Sequence, residues 1–460
     1  MQRISAIVWL TWKAAFRYRL FWVLAALLVG AVVGLPLLIK DDGTARGFTQ
    51  ILLTYTLSAI TALLGIATLW LACGTLARDI EEAQIQMVVV KPIARWQIWI
   101  GKWLGIISLN ALLLAIAGGS VFFLMQWRAN RLSPEQQKIL RNEVLVARAS
   151  VKEVPPDFRS VVENELQRRL QTISTNPTNI PAIRKQLEEQ VKAGIQSVPP
   201  GRFRPWRIEL GRAKDSLHQQ PLFLRVKFFT AQSNPSGTFI ALWQVGNPET
   251  KKFWRSDPMS FAAETFHEFP IPADLFDENG TLEIVFINPN ETTLLFPLDD
   301  GLEVLYREGS FGLNFARGLG IIFFWLALLA TLGLAAASLL SFPVAAFVSL
   351  AILMMSLSSG TLSSVVQEGT LLGVNHESGL AEAQSILDTV FIPFFRAALK
   401  IINLIQGFSP IDSLSTGRSI TWTQLGLAGL QIVLLLGGII AAIGMIIFSR
   451  RELATAQGNS

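Results

Sequence analysis

The sequence predicts an α-helical integral membrane protein with six transmembrane helices and a large inserted extracytoplasmic α+β domain, a helical part followed by a β-sandwich. Three observations predict it. Only 16% of the 460 residues are charged and 51% are hydrophobic, where a soluble chain carries about 25% charged residues. The charges crowd into blocks and leave apolar runs of the ~18 or more residues that a lipid-spanning helix needs. Between residues 128 and 315 the apolar runs stop, and charged helical segments give way to short alternating ones.

Residues 1–19 place Trp9, Trp12 and Phe16 beside Lys13, Arg17 and Arg19, an amphipathic segment suited to the membrane interface. It runs into span 1 (20–39), with no small-residue cleavage pattern after it, so it reads as an uncleaved first helix. Span 2 covers 49–76 and span 3 covers 96–127, with tryptophans at both ends of the latter. Together with the coupling segment 77–95 discussed below, these form the N-terminal membrane part, 1–127.

In the inserted domain, 128–197 reads as helical over Pro134–Ala149, Asp157–Leu170 and Ile180–Ile195. From 203 to 312, Leu222–Phe229, Thr238–Val245, Thr281–Ile287 and Gly301–Tyr306 read as strands bounded by Asn-Pro, Glu-Asn-Gly and Asp-Asp-Gly turns, as in a β-sandwich. Its many aromatics, Trp206, Trp243, Trp254, Phe228, Phe229, Phe239, Phe253 and Phe266, read mainly as core, with sugar or lipid stacking as the alternative. Asp299, Asp300 and Glu303 read as an acidic turn, with a calcium corner as the alternative.

The C-terminal membrane part, 316–453, holds span 4 (319–340), span 5 (344–362) and span 6 (423–448), with an external or re-entrant segment at 363–418 and a cytoplasmic tail at 454–460. Six spans put both termini on one side. Arg3, Lys13, Arg17 and Arg19, then Arg78, Lys91, Arg95 and Lys102, then Arg450 and Arg451 all fall on that face, which the positive-inside rule makes cytoplasmic. The net charge of +5 therefore reads as topology, not as nucleic-acid binding.

The chain lacks the usual equipment for chemistry. Cys73 is the single cysteine, and His218, His267 and His376 are scattered, so neither a disulfide nor a zinc site is expected. No phosphate loop occurs, because Gly101-Lys102 has Trp96 and Trp103 at the positions of the first glycine and the Ser/Thr. No metal, cofactor or catalytic residue is expected. Within the spans Lys102 is the only Lys, Arg, His, Asp or Glu, which disfavours ion coupling and points to an energy source in a partner protein.

The informative stretch lies between spans 2 and 3. Glu81, the apolar run Met87–Val90, Pro92, Arg95, Gly101 and Lys102 follow a pattern of an acidic stretch, apolar residues, Pro-x-x-Arg and Gly-Lys. Phe448-Ser449-Arg450-Arg451-Glu452-Leu453 closes the last span. In these features the chain resembles the permease subunits of ATP-binding-cassette (ABC) exporters of the second exporter class, over about 1–127 and 317–453. Ala83 and Gln84 stand where that family usually has Gly-Thr. The resemblance implies a permease without ATPase activity of its own, in the bacterial inner membrane, dimeric as a homodimer or a paired permease. It also implies an ABC ATPase subunit bound through Arg78, Glu81, Glu82, Gln86, Pro92 and Arg95. An extracytoplasmic protein or glycan partner fits the inserted domain. An ordinary solvated loop is the alternative for 77–95. For the whole chain the alternative is a non-transport membrane anchor presenting a ligand-binding or adhesive domain.

Overall fold

A computed structural model describes residues 2–17, 19–38, 44–82, 93–154, 157–172, 180–218, 220–230, 232, 236–247, 252–368, 371 and 386–451. The chain divides into two units: Met1–Val146 with Ser310–Ser460, and Ala147–Gly309.

The first unit is helical. Five helices are long and apolar enough to cross a membrane, at Phe21–Leu38, Gly47–Glu81, Arg95–Ala129, Phe311–Leu339 and Trp422–Arg450. A bent pair, Phe342–Leu357 with Ser359–Val366, makes a sixth if it counts as one span. The apolar runs of the sequence account for each. Helix α1 (Gln2–Arg17) precedes α2 (Arg19–Val29), which continues through a π turn at Gly30–Gly34 and a last turn at Leu35–Leu38. Helix α3 (Ala45–Glu81) has 37 residues, about 55 Å of helix against a hydrocarbon core of about 30 Å. It therefore carries Arg78, Asp79 and Glu81 as a helical extension of the span, in a stretch that the sequence reads as the start of a polar connection. Helix α4 (Arg95–Ala129) returns after 83–92.

Helix α1 lies on α4 because glycine clears the way. A Cβ on Gly101 would sit 2.8 Å from the Ile7 side chain, and one on Gly105 would sit 2.7 Å from Thr11. Small residues four apart make the same close approach in membrane dimers. Trp12 Nε1 then donates to Ser108 Oγ at 2.9 Å.

The second unit opens with strand β1 (Val146–Val151). This corrects the expectation of a helix over 134–149: the helix stops at Ile139, a π turn takes Leu140–Val144, and strand pairing takes the rest. The competing force is tertiary, since Ala147 is buried and β1 lies beside β12 in the sheet. Helices α5 (Arg159–Thr172) and α6 (Ile180–Gln196) follow, packing Val162 and Leu166 on Leu187.

The remaining strands are β2 (Ser197–Val198), β3 (Phe203–Glu209), β4 (Leu222–Val226), β5 (Phe229–Thr230), β6 (Thr238–Gly246), β7 (Phe253–Arg255), β8 (Met259–Ala262), β9 (His267–Ile271), β10 (Thr281–Ile287), β11 (Leu294–Leu295) and β12 (Leu302–Ser310). They form sheets ordered β1-β12-β4-β9, β3-β10-β6-β7 with β8 also on β6, and β2-β11-β5. Alternation decides which residues face in. Trp206 and Ile208 of β3 pair in register with Ile284 and Leu282 of β10, and Phe286 pairs with Trp243 of β6. They share one buried cluster with Leu222, Leu224 and Val226 of β4 and Val304 of β12, so the two larger sheets close over a common core. Phe228 and Phe239 join that core, while Phe229, Phe253 and Phe266 stay exposed.

The first unit resumes with α7 (Phe311–Leu339) and α8 (Phe342–Leu357). At Ser358 the chain bends by 66° into α9 (Ser359–Glu368), inside the stretch 344–362 that the sequence reads as one span. The Ser358-Ser359-Gly360 run gives the break a polar, weakly helical sequence. Helix α10 (Ile386–Gln406) packs Leu399 and Ile402 on Leu362, followed by a short helix at Pro410–Ser415. The last span is α11 (Trp422–Ala428), a π stretch at Gly429–Gly437 and α12 (Gly438–Arg450).

Candidate functional site: the helix ends flanking residues 83–92

Residues 83–92 join the end of α3 to the start of α4, so Gln86 and Pro92 lie outside the described residues. The other candidate residues sit on the two flanks. On the α3 side, Glu81 Oε1 accepts the Phe342 N–H at 2.8 Å. Phe342 is the first residue of α8, whose leading N–H groups have no partner within the helix and carry the positive end of its dipole. The carboxylate therefore caps α8 from another span. Arg78 lies over the Phe342 ring at 4.4 Å, and Trp70 meets the same ring edge-on at 5.0 Å. Glu82 is exposed and closes α3, its N–H donating to the Arg78 carbonyl.

On the α4 side, Arg95 Nη1 donates to the carbonyls of Phe448, Ser449 and Arg451 at 3.2, 2.8 and 2.8 Å. These are among the unsatisfied carbonyls at the end of α12, where a cation is favoured. Arg451 in turn donates through Nη1 to the Ser338 carbonyl at 3.0 Å, at the end of α7. Five helix ends are thus tied through charged side chains beside 83–92, α3 to α8 on one flank and α4 to α12 and α7 on the other.

About two turns further along α4, Lys102 is 7% exposed. Its Nζ donates to the Thr75 carbonyl at 2.6 Å and to Asp79 Oδ2 at 2.5 Å, tying α4 to α3. Sequence reasoning named Lys102 as the one charge inside a span but gave it no partner. The signal was present, because a charge at that depth needs a counter-charge and Asp79 is the nearest acid on the preceding span. Phe342 carried no comparable signal, since its role depends on a fold contact 261 residues away.

In the other unit, Glu303 accepts from Ser150 Oγ at 2.6 Å and pairs with Arg225 at 3.4 Å, and Asp300 pairs with Lys227 at 3.1 Å. Asp300 and Glu303 are thus each paired with a cation of their own unit. Among the described residues no group of three or more His, Cys, Asp or Glu could hold a metal ion.

No protein-family model matches the chain, and no curated protein or solved structure is significantly similar to it.

Proposed function

We propose that the chain is the membrane-spanning permease subunit of an ABC exporter, driven by ATP hydrolysis in a separate subunit that docks on residues 77–95. The carrying observation is the arrangement around 83–92. A force on that segment reaches α8 through Glu81, and reaches α12 and α7 through Arg95 and Arg451. A solvated loop needs no such ties at both flanks. Direct hydrogen bonds among charged side chains and helix ends are stiff at this range, so a displacement on one side of the membrane is passed to three other helices. In this reading the spans number six, both termini are cytoplasmic in a bacterial inner membrane, and the β-rich unit is an extracytoplasmic sandwich. The permease works as a homodimer or with a second permease. An extracytoplasmic protein or glycan engages the β-rich unit.

Co-expression with the ABC ATPase subunits of the same genome, followed by co-purification and ATP hydrolysis, tests the reading. Glu82→Lys reverses an exposed charge at the segment's edge and is expected to abolish co-purification while the permease stays monodisperse. Arg95→Glu is expected to weaken both docking and the closure of α12. Unchanged pairing in both variants, or no ATPase that pairs with the wild type, sinks the proposal.

A further inference from the structure

A groove of about 520 Å³ opens between α4, α7 and the last span. Its walls include Trp103, Ile107, Phe323, Phe324, Trp422 and Leu430. Ligand pockets of drug-like and lipid-like molecules fall between roughly 300 and 1,000 Å³. Two glycines keep it open: Gly426 has nothing within 4 Å of where a Cβ would stand, and a Cβ on Gly429 would lie 3.3 Å from the Phe324 ring. Leu430 and Leu434 are more than half exposed, so the groove opens sideways, toward whatever surrounds the spans.

Its length and its charge are both informative. The thirteen residues from Trp422 to Leu434 rise about 18 Å, close to the ~15 Å of one leaflet's hydrocarbon. At the Trp422 end stands Arg317, its guanidinium 4.8 Å over the Trp422 ring. Arg317 Nη1 donates to the Ile420 carbonyl at 2.6 Å, and its buried Nε has no hydrogen-bond partner. No acidic side chain pairs with Arg317 among the described residues. An uncompensated arginine beside an interfacial tryptophan, at one end of an apolar groove one leaflet deep, complements a molecule with an anionic head and an acyl tail.

We infer that this groove holds one acyl chain of an anionic phospholipid, in the leaflet where α7 begins, with the phosphate on Arg317. The inference needs the helices to span a membrane, but it does not need the ATPase partner, so the two proposals fail separately.

The test places the full-length protein in phosphatidylcholine nanodiscs with a phosphatidylglycerol or a phosphatidylcholine carrying a diazirine in its acyl chain. Photolabelled peptides are then mapped by mass spectrometry. The wild type is expected to take label at 323–327 and 422–434 in preference to the exposed face of α8 around Phe347, and to prefer phosphatidylglycerol about 5-fold, the scale of one basic side chain at an anionic lipid surface. Arg317→Gln should bring that preference to parity, and Arg317→Lys should restore most of it. Gly426→Leu fills the groove from an open position and should remove label from both lipids. Equal labelling of α8 and the groove, or a headgroup preference that survives Arg317→Gln, overturns the inference. If Arg317→Gln does not fold, the wild-type preference and Gly426→Leu decide it.

Discussion

Glu81 and Phe342 are 261 residues apart in sequence, yet the carboxylate Oε1 and the backbone nitrogen meet at 2.8 Å. The contact makes the end of one span the cap of another. Truncating it exposes a helix N-terminus that has lost its acceptor, a change that costs about 1 kcal/mol at ordinary caps. Glu81→Ala is therefore expected to lower the thermal unfolding temperature of the detergent-solubilised protein, while Glu81→Gln, which keeps an acceptor oxygen, loses less. A Glu81→Ala variant that melts with the wild type would show that the cap contributes nothing.

Lys102 and Asp79 call for a double-mutant cycle. Asp79 is 32% exposed and Lys102 only 9% by side chain, so the two single mutants are unequal. Asp79→Asn strands a buried ammonium, and removing one partner of a buried pair costs roughly 3–5 kcal/mol when burial is complete. The partial exposure of Asp79 lets water take up some of that charge, so the cost falls below this range. Lys102→Met leaves a carboxylate that can turn to solvent, and it should cost less than Asp79→Asn. The double variant should recover most of the loss. Additive losses, measured by thermal unfolding at one detergent concentration, would argue that the pair is not coupled.

Much of this fold is legible in the sequence because lipid leaves so few choices. Phe21–Leu38, Arg95–Ala129 and Trp422–Arg450 fall within a few residues of where hydropathy puts them. β6 and β10 follow from Thr238–Val245 and Thr281–Ile287, whose alternation is unbroken. β1 was not legible, since Val146–Val151 continues a helical charge pattern and becomes a strand only by pairing with β12, far along the chain. The bend at Ser358 was hidden for a different reason: hydropathy reports length and apolarity but not direction. At the candidate site, residue types were readable and their partners were not. Arg95 announces a cation near a helix start, but nothing local says that it reaches the carbonyls of Ser449 and Arg451.

Helix crossing at Gly333 gives a steric prediction. A Cβ there would lie 2.7 Å from the Ala72 Cβ and 3.2 Å from the Leu69 carbonyl oxygen, so backbone would have to move. Overpacking of this kind costs about 1–3 kcal/mol. Gly119 is the control, on the same class of helix with nothing within 4 Å, where alanine is better than glycine by up to about 1 kcal/mol in propensity. Gly333→Ala should destabilise and Gly119→Ala should not. Equal behaviour of the two in a thermal unfolding series would remove close packing of α3 on α7 as a source of stability.

The β-rich unit carries a pH prediction at Asp274. Its carboxylate accepts from Lys252 Nζ at 2.8 Å and meets His218 Nδ1 at 2.6 Å. The hydrogen bond from Lys252, then that from His218, hold its pKa below the ordinary value. A carboxyl whose folded-state pKa is depressed stabilises the fold above its unfolded pKa of about 4, and that stabilisation is lost as pH falls through the lower folded-state value. Asp274→Asn isolates the charge, because Asp274 has a backbone φ of 60°, a left-handed conformation that asparagine also tolerates. Hydrogen exchange of the intact protein should therefore show wild-type protection of 267–276 exceeding that of the variant from pH 5 to pH 7. The gap should narrow as pH falls below about 4 and close only below the depressed folded-state pKa, where the carboxyl is protonated and can no longer hold the lysine. A gap that persists at low pH would mean that Asp274 acts through its shape, and that the ion pairs with Lys252 and His218 add nothing.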